Sequence, residues 1–192
     1  MAEIRAFIAV SLPPVLQSQL DTISRQLREM LPAVPIRWVP IKNIHLTLKF
    51  LGNIPEQNLG ALKESLKAEA SRHHAFELNL GLPGAFPSIN RPRVIWVGVS
   101  AVEELKELAR GIENQTKSLG YPNEERPFSP HLTLGRVGQQ VSPSDIRLVA
   151  DAVQSLKMEA AGPTRVTEIH LYRSDLNPAG AVYTRLHSVP LR

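Results

Sequence analysis

Histidine occurs six times in 192 residues, and two of the six open the same tetrapeptide, His-Leu-Thr-Leu, at His45–Leu48 and at His131–Leu134. In an extended strand, alternate side chains share a face. His45 and Thr47 therefore point one way while Leu46 and Leu48 bury the other side, and His131 and Thr133 stand in the same relation to Leu132 and Leu134. Two such strands set opposite each other bring two imidazoles and two hydroxyls to one cleft. An imidazole, with an ordinary pKa of about 6.5, can act as acid or base near neutrality. Threonine hydroxyls can donate to oxygens on which charge builds. This set is sufficient to hydrolyse a phosphodiester without a metal. A zinc reading lacks ligands, because no His-x₃-His spacing or acidic partner accompanies His45 and His131. No metal or other cofactor is expected. Lys49, which shares the parity of His45 and Thr47, is the cation that strict alternation would aim at a bound phosphate.

Positioning these groups falls to an alternation of strands and helices. Ile4–Ser11 reads as a strand; Arg5 followed by the short apolar run Ala6–Leu12 fits a buried first strand better than a signal peptide. Pro13 and Pro14 open a helix to about Met30. A short extended piece at Arg37–Val39 precedes the first motif strand, Ile44–Leu51, which Gly52 and Asn53 should end. Pro55 should start a second helix, carrying Leu59, Leu62, Leu66 and Ala70 at helical spacing. Phe76–Leu80 and Arg93–Val99 read as strands around a Gly- and Pro-rich loop, 81–92. Glu103–Leu119 reads as a helix, Tyr121–Pro130 as a loop, and His131–Val137 as the second motif strand. Ser142 should cap a helix reaching about Met158. Strands Arg165–Tyr172 and Ala181–Val189 follow, with a turn at Asn177–Gly180.

The order is a duplication: each half holds a motif strand, a glycine, a Pro-started helix and two strands. The expected fold is α+β, with two similar lobes related by pseudo-two-fold symmetry. Their antiparallel-rich sheets should face a central cleft, with the helices outside. No low-complexity linker separates the halves, so residues 1–192 are expected to form one bilobal domain. Hydrophobic content of 43% and charged content of 21% are those of an ordinary globular protein. The absence of cysteine excludes disulfides and thiolate metal sites and fits a cytoplasmic location. A net charge of +4 favours polyanionic partners such as RNA. No segment approaches the length of a membrane span, and a monomer is the default.

Other conspicuous residues have plainer readings. His73 and His74 close the second helix, where a solvated positive end suits the dipole. His170 and His187 lie on the last strands as packed or hydrogen-bonded residues. Trp38 and Trp96 read as core or edge packing, although aromatic rings also bind unstacked bases. Tyr172 and Arg173 lie near the last turn, from which they could reach an RNA end.

Beyond the twin motifs, the segments RAFIAVSLP, WVPIKNIHLTLKFLG, RPRVIWVGV, FSPHLTLGRV and LYRSDLNPAGAVYTRL make nearly the whole chain resemble the two-histidine (2H) phosphoesterase superfamily. The likeness is to the RNA 2′,3′-cyclic phosphodiesterases once named 2′-5′ RNA ligases. It implies metal-independent opening of a terminal 2′,3′-cyclic phosphate of RNA to a 2′-phosphomonoester. It also implies His45 as proton donor to the departing 3′ oxygen, His131 as proton acceptor from water, and Thr47 and Thr133 as phosphate ligands. The residues alone do not choose between the histidines. The resemblance points further to Arg136 as the phosphate-binding cation. Arg136 has the wrong parity for the cleft unless Gly135 introduces a bulge. Alternatives are 2′-5′ RNA joining or a small cyclic nucleotide as substrate on the same site, and a non-catalytic module binding RNA ends. No P-loop or ligase-type lysine motif is present.

Overall fold

The computed structural model describes residues 2–100, 103–158, 162–178 and 180–192. Its first strand, β1 (Glu3–Ser11), carries the apolar run Ala6–Val10 and is buried along that run, as a strand with neighbours on both edges requires. Helix α1 (Pro14–Met30) has proline in its first turn and buries Leu16, Leu20, Ile23 and Leu27 along one face. Each such side chain contributes about 1.5–3 kcal/mol of burial. The three-residue strand β2 (Ile36–Trp38) and a 3₁₀ turn (Ile41–Asn43) lead into the first motif strand, β3 (His45–Pro55). Then come α2 (Leu59–Ala70), β4 (Phe76–Leu78), β5 (Leu80–Ser88), β6 (Arg91–Val99) and α3 (Glu103–Ser118). The second motif strand, β7 (His131–Val137), is followed by α4 (Pro143–Ser155), β8 (Thr164–Val166), β9 (Glu168–Asn177) and β10 (Gly180–Pro190). Ser142 caps α4 reciprocally: its hydroxyl accepts from the Asp145 N–H, and the Asp145 carboxylate accepts from the Ser142 N–H.

Two four-stranded antiparallel sheets result, one in the order β10-β9-β1-β3 and the other β2-β7-β6-β5. A two-stranded ribbon, β4 with β8, joins the repeats. The structural repeat is strand–helix–motif strand–helix–strand–strand, realised as β1-α1-β3-α2-β4-β5 and again as β6-α3-β7-α4-β8-β9. The last strand of each repeat leaves its own sheet: β5 pairs with β6, and β9 pairs with β1. Helices pack across repeats in the same sense, α2 on α3 and α1 on α4. One cluster of buried apolar side chains runs through both lobes.

Several boundaries differ from the sequence expectation. The first motif strand continues through Gly52, which takes φ 72°, and ends at Pro55; a 3₁₀ turn at Glu56–Asn58 delays the helix to Leu59. Most of the expected loop 81–92 is the edge strand β5, where Pro83 and Pro87 can lack an N–H without breaking a central ladder. Gly84 is required there, because a Cβ would lie 2.4 Å from the Trp96 ring. The expected strand Arg165–Tyr172 splits at Thr167, since β8 joins the ribbon while β9 enters the first sheet. Of the turn at Asn177–Gly180, Ala179 lies outside the described residues.

Candidate active site

β3 and β7 approach each other where the two lobes meet, and a cleft of about 640 Å³ opens beside them. His45, Thr47, His131 and Thr133 all line it. The leucines of both motifs are buried on the opposite face, as alternation requires.

The two imidazoles are held alike. His45 Nδ1 lies 2.8 Å from the Asn43 carbonyl oxygen, and His131 Nδ1 lies 2.7 Å from that of Ser129. A carbonyl can only accept, so both Nδ1 atoms carry hydrogen. In the neutral ring Nε2 is then a free acceptor; in the cation it is the donor. Each backbone therefore fixes the tautomer of its own histidine.

Their surroundings differ. His45 sits in an aromatic box: Phe7 stacks on it with centroids 4.6 Å apart, Tyr183 meets it edge-on at 5.1 Å, and Tyr172 stacks behind Phe7 at 5.2 Å. Burial in this box lowers the His45 pKa below its usual 6.5; the Asn43 carbonyl opposes the shift and the nearby His131 adds to it. His131 has the Phe86 ring edge-on at 4.9 Å and the Trp96 ring tilted at 6.2 Å, with nothing stacked on it as Phe7 is stacked on His45.

The cations are sorted by a bulge that both strands share. Along β7, Thr133 pairs with Trp96 and Gly135 with Ile95, leaving Leu134 as the extra residue. The face reverses there, so Arg136 joins His131 and Thr133 on the cleft wall. Along β3, Thr47 pairs with Ala9 and Lys49 with Ile8, leaving Leu48 extra. The same reversal turns Lys49 away from the cleft and turns Phe50 into it. Lys49 is 2% exposed. Its Nζ donates to Glu113 Oε2 and to the Pro122 carbonyl, each at 2.7 Å. As a phosphate-binding candidate Lys49 is thus corrected: it ties β3 to α3 and to the loop before the second motif.

Phe7, Phe50, Tyr183, Phe86, Arg5 and Arg37 also line the cleft and were not singled out from the sequence. For Phe50 and Arg37 a signal existed. Phe50 occupies the repeat position of Arg136, and Arg37 precedes a tryptophan in the extended piece before the motif. Tyr172 contributes indirectly through Phe7, whereas Arg173 is paired with Asp175 at 2.9 Å. Two of the other histidines are held in hydrogen bonds away from the cleft, while His74 is exposed past the end of α2. His73 is not solvated but bonds Glu69 at 2.8 Å, and His170 is fully buried between the Ser11 and Ser188 hydroxyls at 2.8 and 2.9 Å. Trp38 covers Gly135, and Trp96 packs on Gly84 and Phe86. Among the described residues, no three His, Asp or Glu side chains are gathered as a metal site would need, and no acidic side chain lines the cleft.

The LigT-like phosphoesterase family matches residues 10–96 and again residues 97–183, one match for each motif. This chain belongs to that family. As a LigT-like phosphoesterase it is 32% identical to the RNA 2′,3′-cyclic phosphodiesterase of Methanothermobacter thermautotrophicus over 182 residues, covering 95% of this chain and 96% of that one. The enzyme of the same name from Archaeoglobus fulgidus is also 32% identical, over 95% and 97%. A crystal structure from Thermus thermophilus superimposes with a TM-score of 0.82 at 30% identity, covering 98% of each chain. Escherichia coli LigT complexed with 3′-AMP gives 0.73 at 27% identity, covering 99% of each chain. Each family match covers most of one structural repeat, with the boundary between the matches falling inside β6, and the LigT-like fold carries both His-x-Thr motifs to one cleft. Among the described residues, no helix is long and apolar enough to cross a membrane.

Proposed function

We propose that this phosphoesterase hydrolyses the 2′,3′-cyclic phosphate end of RNA to a 2′-phosphomonoester, using two histidines, two threonines and no metal. The observation that carries the reading is the matched pair of imidazoles. Each has Nδ1–H bound to a carbonyl, leaving Nε2 as the nitrogen that can exchange a proton in the cleft.

The step balances as follows. Water attacks phosphorus while His131 Nε2 takes its proton; the P–O3′ bond breaks and His45 Nε2–H protonates the departing O3′. The product carries a 2′-phosphate and a 3′-hydroxyl, and a second proton exchange between solvent and the histidines resets the site. Thr47 and Thr133 donate to the non-bridging oxygens as charge accumulates, and Arg136 offsets the phosphate charge. In-line displacement needs nucleophile and leaving oxygen on opposite sides of phosphorus, which suits two groups from two lobes.

The unequal surroundings support this assignment of roles. The base must meet water, and His131 has two rings beside it where His45 has three. The acid must meet the ribose oxygen, and His45 is the one enclosed by rings against which a nucleoside can pack. Burial that lowers the His45 pKa makes its imidazolium a stronger acid, while an anionic substrate raises its protonated fraction. The Methanothermobacter and Archaeoglobus relatives are named for this RNA activity, and the Escherichia coli relative has been solved with 3′-AMP and with phosphate.

The deciding experiment incubates purified protein, in EDTA, with an oligoribonucleotide ending in a 2′,3′-cyclic phosphate and identifies the product end. A 2′-phosphate is expected. A 3′-phosphate would reverse the assignment of the leaving oxygen, and activity abolished by EDTA and restored by a divalent ion would end the metal-free reading.

A further inference from the structure

Resting on that reading, we infer that Arg37 forms a second phosphate subsite beside the scissile one. It would take the phosphodiester on the 5′ side of the terminal nucleotide, so that the cleft is built for a chain end rather than for a free cyclic nucleotide.

On the three-residue strand β2, Arg37 lies directly opposite Arg136 of β7. Both side chains are exposed and both line the cleft. Like charges directly opposite each other on a sheet are destabilising, and nothing in the cleft neutralises this pair. No acidic side chain lines it, and neither Arg37 nor Arg136 is ion-paired to a carboxylate among the described residues. The arrangement is nevertheless held firmly. Val39 N–H donates to the Leu134 carbonyl and Gly138 N–H to the Pro35 carbonyl, both at 2.8 Å, and Ile36 and Trp38 close over Gly135 on the other face. Two guanidinium groups without a carboxylate partner among the described residues, carried side by side on paired strands, form a site for anions that arrive with the ligand.

Counting charge selects the ligand. A cyclic phosphate is a diester with one negative charge. Arg136, two threonines and a protonated histidine already meet it. Arg5 and Arg37 both line the cleft in excess of what that single charge needs, and of the two it is Arg37 that lies one strand spacing (about 4.8 Å) across the sheet from Arg136. In RNA the next negative charge is the adjoining phosphodiester. A nucleoside 2′,3′-cyclic phosphate with a free 5′-hydroxyl has none.

The test compares kcat/KM for adenosine 2′,3′-cyclic phosphate, its 5′-phosphorylated form, and a diadenylate ending in the cyclic phosphate. Wild type should prefer the latter two by about tenfold, the worth of one charge-assisted hydrogen bond. In Arg37→Gln that preference should collapse towards unity, and Arg37→Lys should retain part of it. For the diadenylate, the slope of log kcat/KM against log salt should flatten by about 0.7 in Arg37→Gln, as for one phosphate contact on a single strand. An unchanged preference in Arg37→Gln, or none in wild type, overturns the subsite. Binding keeps the two readings apart: adenosine 2′-phosphate and adenosine 2′,5′-bisphosphate are titrated into both proteins by calorimetry. Failure of wild type to turn over any cyclic phosphate would sink the proposed reaction. A bisphosphate preference lost in Arg37→Gln would still support the subsite.

Discussion

The two motif strands share four residues and then part. β3 continues Lys49-Phe50 where β7 continues Gly135-Arg136. Both insert a leucine as the extra residue of a bulge, so in both the next residue turns inward and the one after returns to the cleft. The contents differ because the neighbours differ. β7 has β2 on its outer edge, and a Cβ at Gly135 would come within 2.8 Å of Ile36 and 3.0 Å of Trp38. β3 is the edge strand of its sheet, so a long side chain has room, and Lys49 uses it to reach Glu113. One lobe thereby presents an aromatic ring to the cleft and the other a cation. Symmetry is kept through the two His-x-Thr pairs and released within three residues of the threonines.

The comparison breaks most sharply at the histidines. His45→Ala and His131→Ala should each lower kcat by about 10²–10⁴-fold. If the two act as one unit, the double variant should be little worse than either single in single-turnover assays; multiplicative losses would mean independent roles. Next in size is the buried pair. Lys49→Met leaves the partly solvated Glu113 without its cation and should cost about 2–3 kcal/mol, somewhat below the range for a fully buried pair, read as a lower urea midpoint at unchanged slope. A large rise in KM with intact stability would instead return Lys49 to the substrate. Gly135→Ala tests the other side of the same position. It should destabilise by about 1–3 kcal/mol through crowding of β2, and no loss would show that β2 moves aside freely.

Smaller effects sharpen the picture at the helices and in titration. α2 has no side-chain cap, whereas α4 has the Ser142–Asp145 box; Ser142→Ala should therefore cost about 1 kcal/mol in thermal or urea unfolding. The smallest change is in the acidity of His45. By NMR its ring should titrate below 6.5, and removing the His131 charge in His131→Ala should move that titration slightly upward. A titration above 6.5 in the wild type would remove the case for burial acting on the acid.

How much of this was legible depended on how local the cause was. The motif faces, the seven-residue strand β7 and the Ser142 cap follow from side-chain periodicity and capping chemistry within a few residues. The bulge at Leu134 was needed to bring Arg136 to the cleft, and Gly135 hinted at it. The same bulge at Leu48 carries no glycine, so strict alternation sent Lys49 to the wrong face. Phe7 and Tyr183 reach His45 only through pairings between strands far apart in sequence, which single-strand patterns do not encode. The exchange of β5 and β9 between sheets was hidden for the same reason. His73 also depended on its surroundings, since the buried Glu69 that receives it is set by packing against Gly111 and Gln115 of α3.

That exchange of strands has a bearing on descent. A lone repeat cannot complete a sheet, because its final strand belongs beside the first strand of the other. Such a half-length chain would find its missing strand only in a twin, and the pair would bear two identical motifs in a two-fold symmetric cleft. Identical halves cannot offer a ring on one side and a guanidinium on the other. Once the two copies form one polypeptide, Phe50 and Arg136 can diverge in every molecule, and with them the two sides to which the proposed reaction assigns the nucleoside and the water.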